Sequence, residues 1–200
     1  SELGLVVDRL KALLDRSEKE IEDGLLPAAQ IAMARNGELL FEYAVGKANV
    51  DSLICIFSAT KAITSAAAWL LIQDGILRET EQVSEIIPEF ATNGKEAITV
   101  DQLFTHTAGF PSAPFAPLEW DDLTKRFGRF SKWRLNWQPG TQFEYHPSSS
   151  MWVIAEIIEL KTKIDFRSFV RERVLAKLGL RNIFVGLPDE EMNRALDCSY

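Results

Sequence analysis

Apolar residues recur at Leu3, Val6, Val7, Leu10, Leu13, Leu14 and Ile21, with Arg9, Lys11, Glu18 and Lys19 between them. That spacing predicts an amphipathic helix packed on something larger and ended by Gly24 and Pro27. Two further runs, Ala29 to Arg35 and Leu39 to Val45, flank Asn36-Gly37, the strongest short hairpin signal. The chain therefore opens as helix, strand, turn, strand. After a loop from Gly46 to Ser52 the pattern changes. From Phe57 to Ile72 apolar residues fall on nearly every face, and Lys61 is the single charge between Asp51 and Asp74. This predicts a helix buried all round, closed by Gly75.

The remainder reads as mostly helical. Thr99 and Gln102 make a capping box before Leu103 and Phe104, and Gly109 is expected to end that short helix. Phe110 to Tyr145 shows no clear period and is rich in proline and aromatics, so it reads as an irregular connection. Such a stretch is either a lid or pocket wall, or an outlying hydrophobic cluster. Ser148 to Leu160 predicts a helix with Trp152, Val153, Ile157 and Leu160 inward. Asp165 caps another through Phe166, Phe169, Val170, Val174 and Leu178, stopped by Gly179. No internal repeat, low-complexity tract or interdomain linker is present.

Composition narrows the function classes. Two hundred residues, 46% hydrophobic, suit one globular domain or a two-lobed one with a real core. A net charge of −7 argues against a nucleic-acid surface, which needs a basic stripe. With two histidines and two cysteines, and neither Cys-x-x-Cys nor His-Glu-x-x-His, the sequence makes no case for a metal site or other cofactor. The run around Ser58 is too short to be a transmembrane segment. Cys55 and Cys198 could bridge, but nothing requires it. Two free, buried thiols in a reducing compartment is the expectation, hence a cytoplasmic location, with a cleaved leader left open.

The candidate chemistry lies in Ser58-Ala59-Thr60-Lys61. On a helix, residues three apart share a face, so the hydroxyl of Ser58 and the amine of Lys61 meet. A lone ammonium in an apolar helix costs several kcal/mol unless it is paired or loses its proton. Ser58 also stands near the helix start, where free N–H groups favour a developing oxyanion. Serine, desolvated amine and aimed N–H groups make an acyl-transfer centre. Alone, the four residues are a weak pattern, better read as a helix start capped by Ser58 with Lys61 snorkelling to water.

Further matches follow in order along the chain. Gly75-Ile76-Leu77 leads to Ile86-Ile87-Pro88-Glu89-Phe90. Then come Leu103-Phe104-Thr105-His106-Thr107-Ala108-Gly109-Phe110, Pro139-Gly140-Thr141-Gln142-Phe143-Glu144-Tyr145 and Leu178-Gly179-Leu180. Together with Ser-x-x-Lys these resemble the serine β-lactamase and penicillin-binding-protein superfamily, in the branch of class C β-lactamases and related esterases. The resemblance implies an α+β, β-lactamase/transpeptidase-like fold. Residues 1–50 would supply the helix and hairpin of an α/β lobe, and residues 51–200 a mainly helical lobe carrying Ser58, Lys61 and Tyr145. It implies catalytic roles for those three: Ser58 as nucleophile, Lys61 as base or anchor, and Tyr145 as proton shuttle.

Two departures shape the expected activity. Tyr145-His146-Pro147 puts proline where the superfamily usually has the asparagine of Tyr-x-Asn, which helps to hold a β-lactam or peptide amide. An esterase or acyltransferase acting on a small-molecule ester or amide is therefore expected ahead of a β-lactamase or DD-peptidase. The superfamily also completes its site with a C-terminal Lys- or His-x-Gly strand, and its sheet with three strands there. Lys177-Leu178-Gly179 has the letters but sits on a helix end. The chain is accordingly expected to be the N-terminal part of a longer protein, a cleaved product, or half of an assembly with a second chain. A different class remains open: a catalytically inactive binding or regulatory protein on the same scaffold. His146 as the base of a Ser–His pair is a minor alternative, His106 is expected to be structural, and Trp120, Trp133 and Trp137 suit either an acyl pocket or a core.

Overall fold

A computed structural model describes Gly4 and residues 6–198. Leu3, counted in the first apolar stripe, lies outside the described residues. The chain divides into two compact units, Ser1–Cys55 with Leu187–Tyr200, and Ile56–Gly186.

In the first unit, helix α1 (Val7–Glu22) precedes strands β1 (Ala28–Arg35) and β2 (Glu38–Gly46). The strands pair antiparallel from Ala28 opposite Gly46 to Arg35 opposite Glu38, with one irregularity between Met33 and Ala34. Asn36 and Gly37 carry φ of 53° and 81°, which matches the right-handed strand twist and favours this dipeptide at the turn. The Tyr43 hydroxyl donates to Glu18 at 2.5 Å and ties α1 to β2. The segment after residue 187 returns to the same unit. There Leu53 N–H donates to Arg194 O, and Leu196 N–H to Leu53 O. Cys55 and Cys198 are free and exposed rather than buried.

The second unit is built on two helices, α2 (Thr60–Gln73) and α6 (Ser149–Thr162). Between them in sequence lie α3 (Val83–Ile86), α4 (Val100–Phe104) and α5 (Leu123–Lys132). The last, α7 (Phe166–Phe169), continues through a wide π turn at Val170–Leu175 and a tight one at Ala176–Leu178. Ala67, Ala68 and Leu71 of α2 and Val153, Ile154, Ile157 and Ile158 of α6 are buried in one core. Removing such apolar surface from water supplies most of the driving force for folding. Phe90, Phe110, Phe130 and Trp133 join it as an aromatic group, with ring centroids between 5.0 and 6.4 Å apart.

Three sequence expectations are corrected here. The α2 helix is not buried all round: Ala62, Ala66 and Trp69 form an exposed stripe, with Trp69 54% exposed. Residues four and three apart share a helix face, so this is one continuous side. The stretch from Phe110 to Tyr145 contains a regular helix, α5, which the surrounding prolines and aromatics disguised. Gly109 does not end α4. That helix stops at Thr105, and His106 takes the left-handed conformation, φ 58°. The Thr99–Gln102 capping box is present as expected.

Two buried cations are held within this unit. Lys95 is fully buried and donates to Trp133 O at 2.8 Å, Thr92 O at 2.6 Å and Thr92 Oγ1 at 3.0 Å, while burial lowers its pKa to about 8. Arg126 of α5 meets Glu156 of α6 at 2.7 Å and Glu159 at 3.0 Å, and its guanidinium lies 4.2 Å from the Trp120 ring centre. One guanidinium thus serves two carboxylates. Burial outweighs it at Glu156, whose pKa rises to about 7 from 4.5. A folded-state pKa above the unfolded value means that the native form holds the proton more tightly. Its contribution to stability is therefore full below pH 4.5 and is lost as pH rises through about 7. In denaturant titrations at about pH 4.5 and about pH 8, Glu156→Gln is expected to narrow the stability difference between the two conditions. An unchanged difference would show that Glu156 does not titrate in this window.

Candidate active site

Ser58 stands in a tight turn, Phe57–Ala59, that feeds directly into α2. Phe57 enters this turn with φ of 44°, a conformation that costs a bulky residue about 1–3 kcal/mol and that tends to cluster at functional sites. One turn along, Lys61 directs its Nζ to Ser58 Oγ at 3.1 Å. The same nitrogen donates to Pro147 O at 2.5 Å. Lys61 is half-buried, and its amine lies 5.0 Å from the ring centre of Tyr145. The Tyr145 hydroxyl donates to Ser58 Oγ at 2.8 Å. The structure thus brings together the three side chains singled out in the sequence, two from the start of α2 and one from a point 87 residues beyond Ser58.

Electrostatics at this junction favour a reactive phenol. Lys61, first, and the bond with Ser58, second, pull the Tyr145 pKa below its ordinary value of 10.0. A neighbouring ammonium stabilises phenolate and so makes the oxygen available as a base nearer neutrality.

The two histidines take backbone roles. His146 is fully buried, its Nδ1 lies 2.7 Å from Glu144 O, and its Nε2 receives the Phe110 N–H at 3.1 Å. A carbonyl only accepts, so Nδ1 carries the proton and neither ring nitrogen is left for Ser58. The Ser58–His146 pair is thereby set aside. His106 Nδ1 accepts the His146 N–H at 3.1 Å, in keeping with a structural role.

Beside Ser58 and Lys61 opens an apolar cavity of about 530 Å³. Its walls include Trp120, Met151, Trp152, Phe166 and Val185. At its edge Arg167 is engaged by Asp121 at 2.8 Å and Asp165 at 3.2 Å. Of the tryptophans left open between pocket and core, Trp120 lines the cavity, while Trp133 is buried in the aromatic core with its indole N–H on Pro114 O. Sequence reasoning missed Met151, Phe166 and Val185 and assigned Trp152 only inward. A signal existed: Ser148, at the N-cap of α6, and Met151, Trp152 and Ala155 within it are spaced i, i+3, i+4, i+7, and all four line the cavity. Among the described residues no cluster of His, Cys, Asp and Glu is gathered as a metal site. No helix among them is long and apolar enough to cross a membrane.

Comparison with known proteins bears on the family and the fold. A family model described as Beta-lactamase matches residues 13–200, and the chain belongs to that family. It is 27% identical to a β-lactamase of Pseudomonas fluorescens, with 82% of this chain and 47% of the other aligned. It is also 27% identical to the protein flp of Staphylococcus aureus, over 82% of this chain and 36% of that one. Among solved structures, a penicillin-binding-protein homologue from Caulobacter crescentus superposes with a TM-score of 0.81 at 29% identity. That match covers 98% of this chain and 56% of the other. A family VIII carboxylesterase gives 0.76 at 26% identity, over 88% and 52%. The chain spans about half the length of these relatives or less. Its helices and two-stranded sheet thus correspond to part of the β-lactamase/penicillin-binding-protein fold.

Tyr145 offers a direct check on this electrostatic arrangement. In ultraviolet titrations with Tyr145→Phe as the reference, one phenol is expected to ionise below the ordinary range in the wild type. Lys61→Met should return it upward. A phenol unmoved by Lys61→Met would mean that the ammonium does not act on Tyr145.

Proposed function

We propose that this chain carries the nucleophilic half of a serine hydrolase that works through an acyl-enzyme, acting as a carboxylesterase or acyltransferase. The observation that carries the reading is the meeting of Lys61 Nζ and Tyr145 Oη on Ser58 Oγ at 3.1 and 2.8 Å. Membership of the β-lactamase family and the likeness to a carboxylesterase support it.

In the proposed reaction, Ser58 Oγ attacks an ester carbonyl and its proton passes to the Tyr145 oxygen in its phenolate form, which Lys61 favours. The Ser58 N–H, in a first turn where N–H groups lack helical acceptors, supplies an oxyanion donor worth a few kcal/mol of barrier. Collapse of the tetrahedral adduct breaks the ester C–O bond, and Tyr145 returns the proton to the leaving alcohol. Water or a second alcohol then attacks the acyl-Ser58 carbonyl and gives its proton to Tyr145; the bond from the acyl carbon to Ser58 Oγ breaks, Tyr145 passes that proton to Oγ, and the acid or new ester leaves. Lys61 keeps its bonds to Ser58 and Pro147 throughout and remains a fixed cation.

Substrate preference follows from two features. Pro147 stands where relatives carry an amide-holding asparagine, so a β-lactam or peptide amide lacks that hold. The cavity walls are aromatic and aliphatic, and Arg167 is already matched by two carboxylates, so an uncharged apolar acyl or alkyl group fits best.

Short-chain p-nitrophenyl esters should be turned over faster than a chromogenic cephalosporin. Tyr145→Phe should lower kcat/KM for the ester by about 10²- to 10⁴-fold, the usual worth of a general base. Ser58→Ala should abolish turnover without unfolding the protein. Faster cephalosporin turnover would overturn the esterase reading, and full activity in Ser58→Ala would remove the nucleophile.

A further inference from the structure

Tyr145 lies in an extended stretch with no helix or strand of its own and is 44% exposed, yet its oxygen has to be held within hydrogen-bond reach of Ser58. The backbone on either side of it is pinned to a single residue. Glu144 N–H donates to His106 O at 3.2 Å, and His146 N–H donates to His106 Nδ1 at 3.1 Å. His106 is left-handed, φ 58°, and in this conformation its carbonyl and its ring address the same stretch. Its ring lies 4.9 Å from that of Tyr145, tilted by 58°. The clamp is anchored in turn. Gly140 N–H donates to Thr107 O at 2.9 Å, and the buried His146 ring ties Phe110 N–H to Glu144 O.

We propose that His106 is the positioning residue for Tyr145: an uncharged imidazole whose carbonyl and Nδ1 bracket the tyrosine and hold its phenol against Ser58. The proposal rests on the reading of Ser58 and Tyr145 given above, and it adds a condition. Nδ1 accepts from a backbone N–H, so the neutral ring carries its proton on Nε2. An imidazolium would place a second N–H against that of His146 and break the clamp. The titratable groups facing the ring are Lys61 from α2, and Tyr145 and His146 from the stretch that it clamps. Burial first, then His146 and Lys61, lower the His106 pKa below 6.5, which keeps the ring neutral at ordinary pH.

Two substitutions separate this role from bulk packing. Asparagine places an acceptor near the position of Nδ1 and tolerates the left-handed conformation, whereas leucine supplies volume and no acceptor. The readouts are the rate of Ser58 modification by a fluorophosphonate and the ultraviolet titration of the Tyr145 phenol. His106→Leu is expected to slow the saturated modification rate by about a hundredfold, the cost of a displacement near 1 Å, with little change in half-saturating concentration. Its phenol should move up toward 10.0 as Tyr145 leaves Lys61. His106→Asn should keep both values near wild type. It should also show a single-proton fall of the rate in acid where the wild type shows a two-proton fall. Wild-type behaviour in His106→Leu, or His106→Asn as impaired as His106→Leu, would overturn the clamp.

Two outcomes keep the claims apart. Should His106→Leu fail to fold, His106→Asn decides alone: a retained phenol titration supports the clamp, and a lost one overturns it. Should wild-type Ser58 resist the fluorophosphonate, the hydrolase reading falls, while the phenol titrations still test whether His106 positions Tyr145.

Discussion

The bonds from the Lys61 ammonium to Ser58 Oγ and to Pro147 O are the contact on which the site depends. One joins neighbours on a helix turn. The other reaches a residue 86 positions away, and with it the stretch that carries Tyr145. Two well-placed oxygens replace part of the water that a half-buried cation gives up, so the stretch and the helix start meet on the same charge. The positive charge then acts on the phenol beside it, lowering its pKa. Position and reactivity therefore share one cause.

The core is arranged to keep that contact in place. Alanines at 67 and 68 and the aliphatic residues of α6 pack α2 and α6 into one core, and both helices supply cavity wall. Arg126, pressed on Trp120 and paired with Glu156 and Glu159, fixes another part of the wall from behind. Breaking such a buried pair from one side is costly, of the order of 3–5 kcal/mol, because the remaining charge is left uncompensated.

Local signals in the sequence were strong where they rest on backbone chemistry. The Asn36-Gly37 turn, the Thr99–Gln102 box, Asp165 and Gly179 each sit where their conformational preferences place them. Ser58 and Lys61 could be paired because helix periodicity alone puts them on one face. Tyr145 could not be placed by periodicity, since no repeat relates an extended stretch to a distant helix, and only the order of motifs pointed to it. Helix α5 was hidden because its apolar residues, Leu123, Phe127 and Phe130, are few, Leu123 stays exposed, and its burial depends on Arg126, a residue whose pairing is tertiary. The exposed side of α2 was equally illegible. Alanine, leucine and tryptophan read alike whether or not they meet a neighbour, and Trp69 stays half in solvent. His106 showed its helix-end position but not its left-handed backbone, which is what lets it grip both sides of Tyr145.

The central claim is that Lys61 makes the Ser58 hydroxyl a nucleophile by holding Tyr145 ready to take its proton. Its most direct test is peptide mapping by mass spectrometry after brief exposure to an activated ester, in the wild type and in Lys61→Met. The account predicts an acyl group on the peptide containing Ser58 in the wild type and its loss in Lys61→Met with the fold intact. Acylation at another residue, or equal acylation of Ser58 without the lysine, would contradict it.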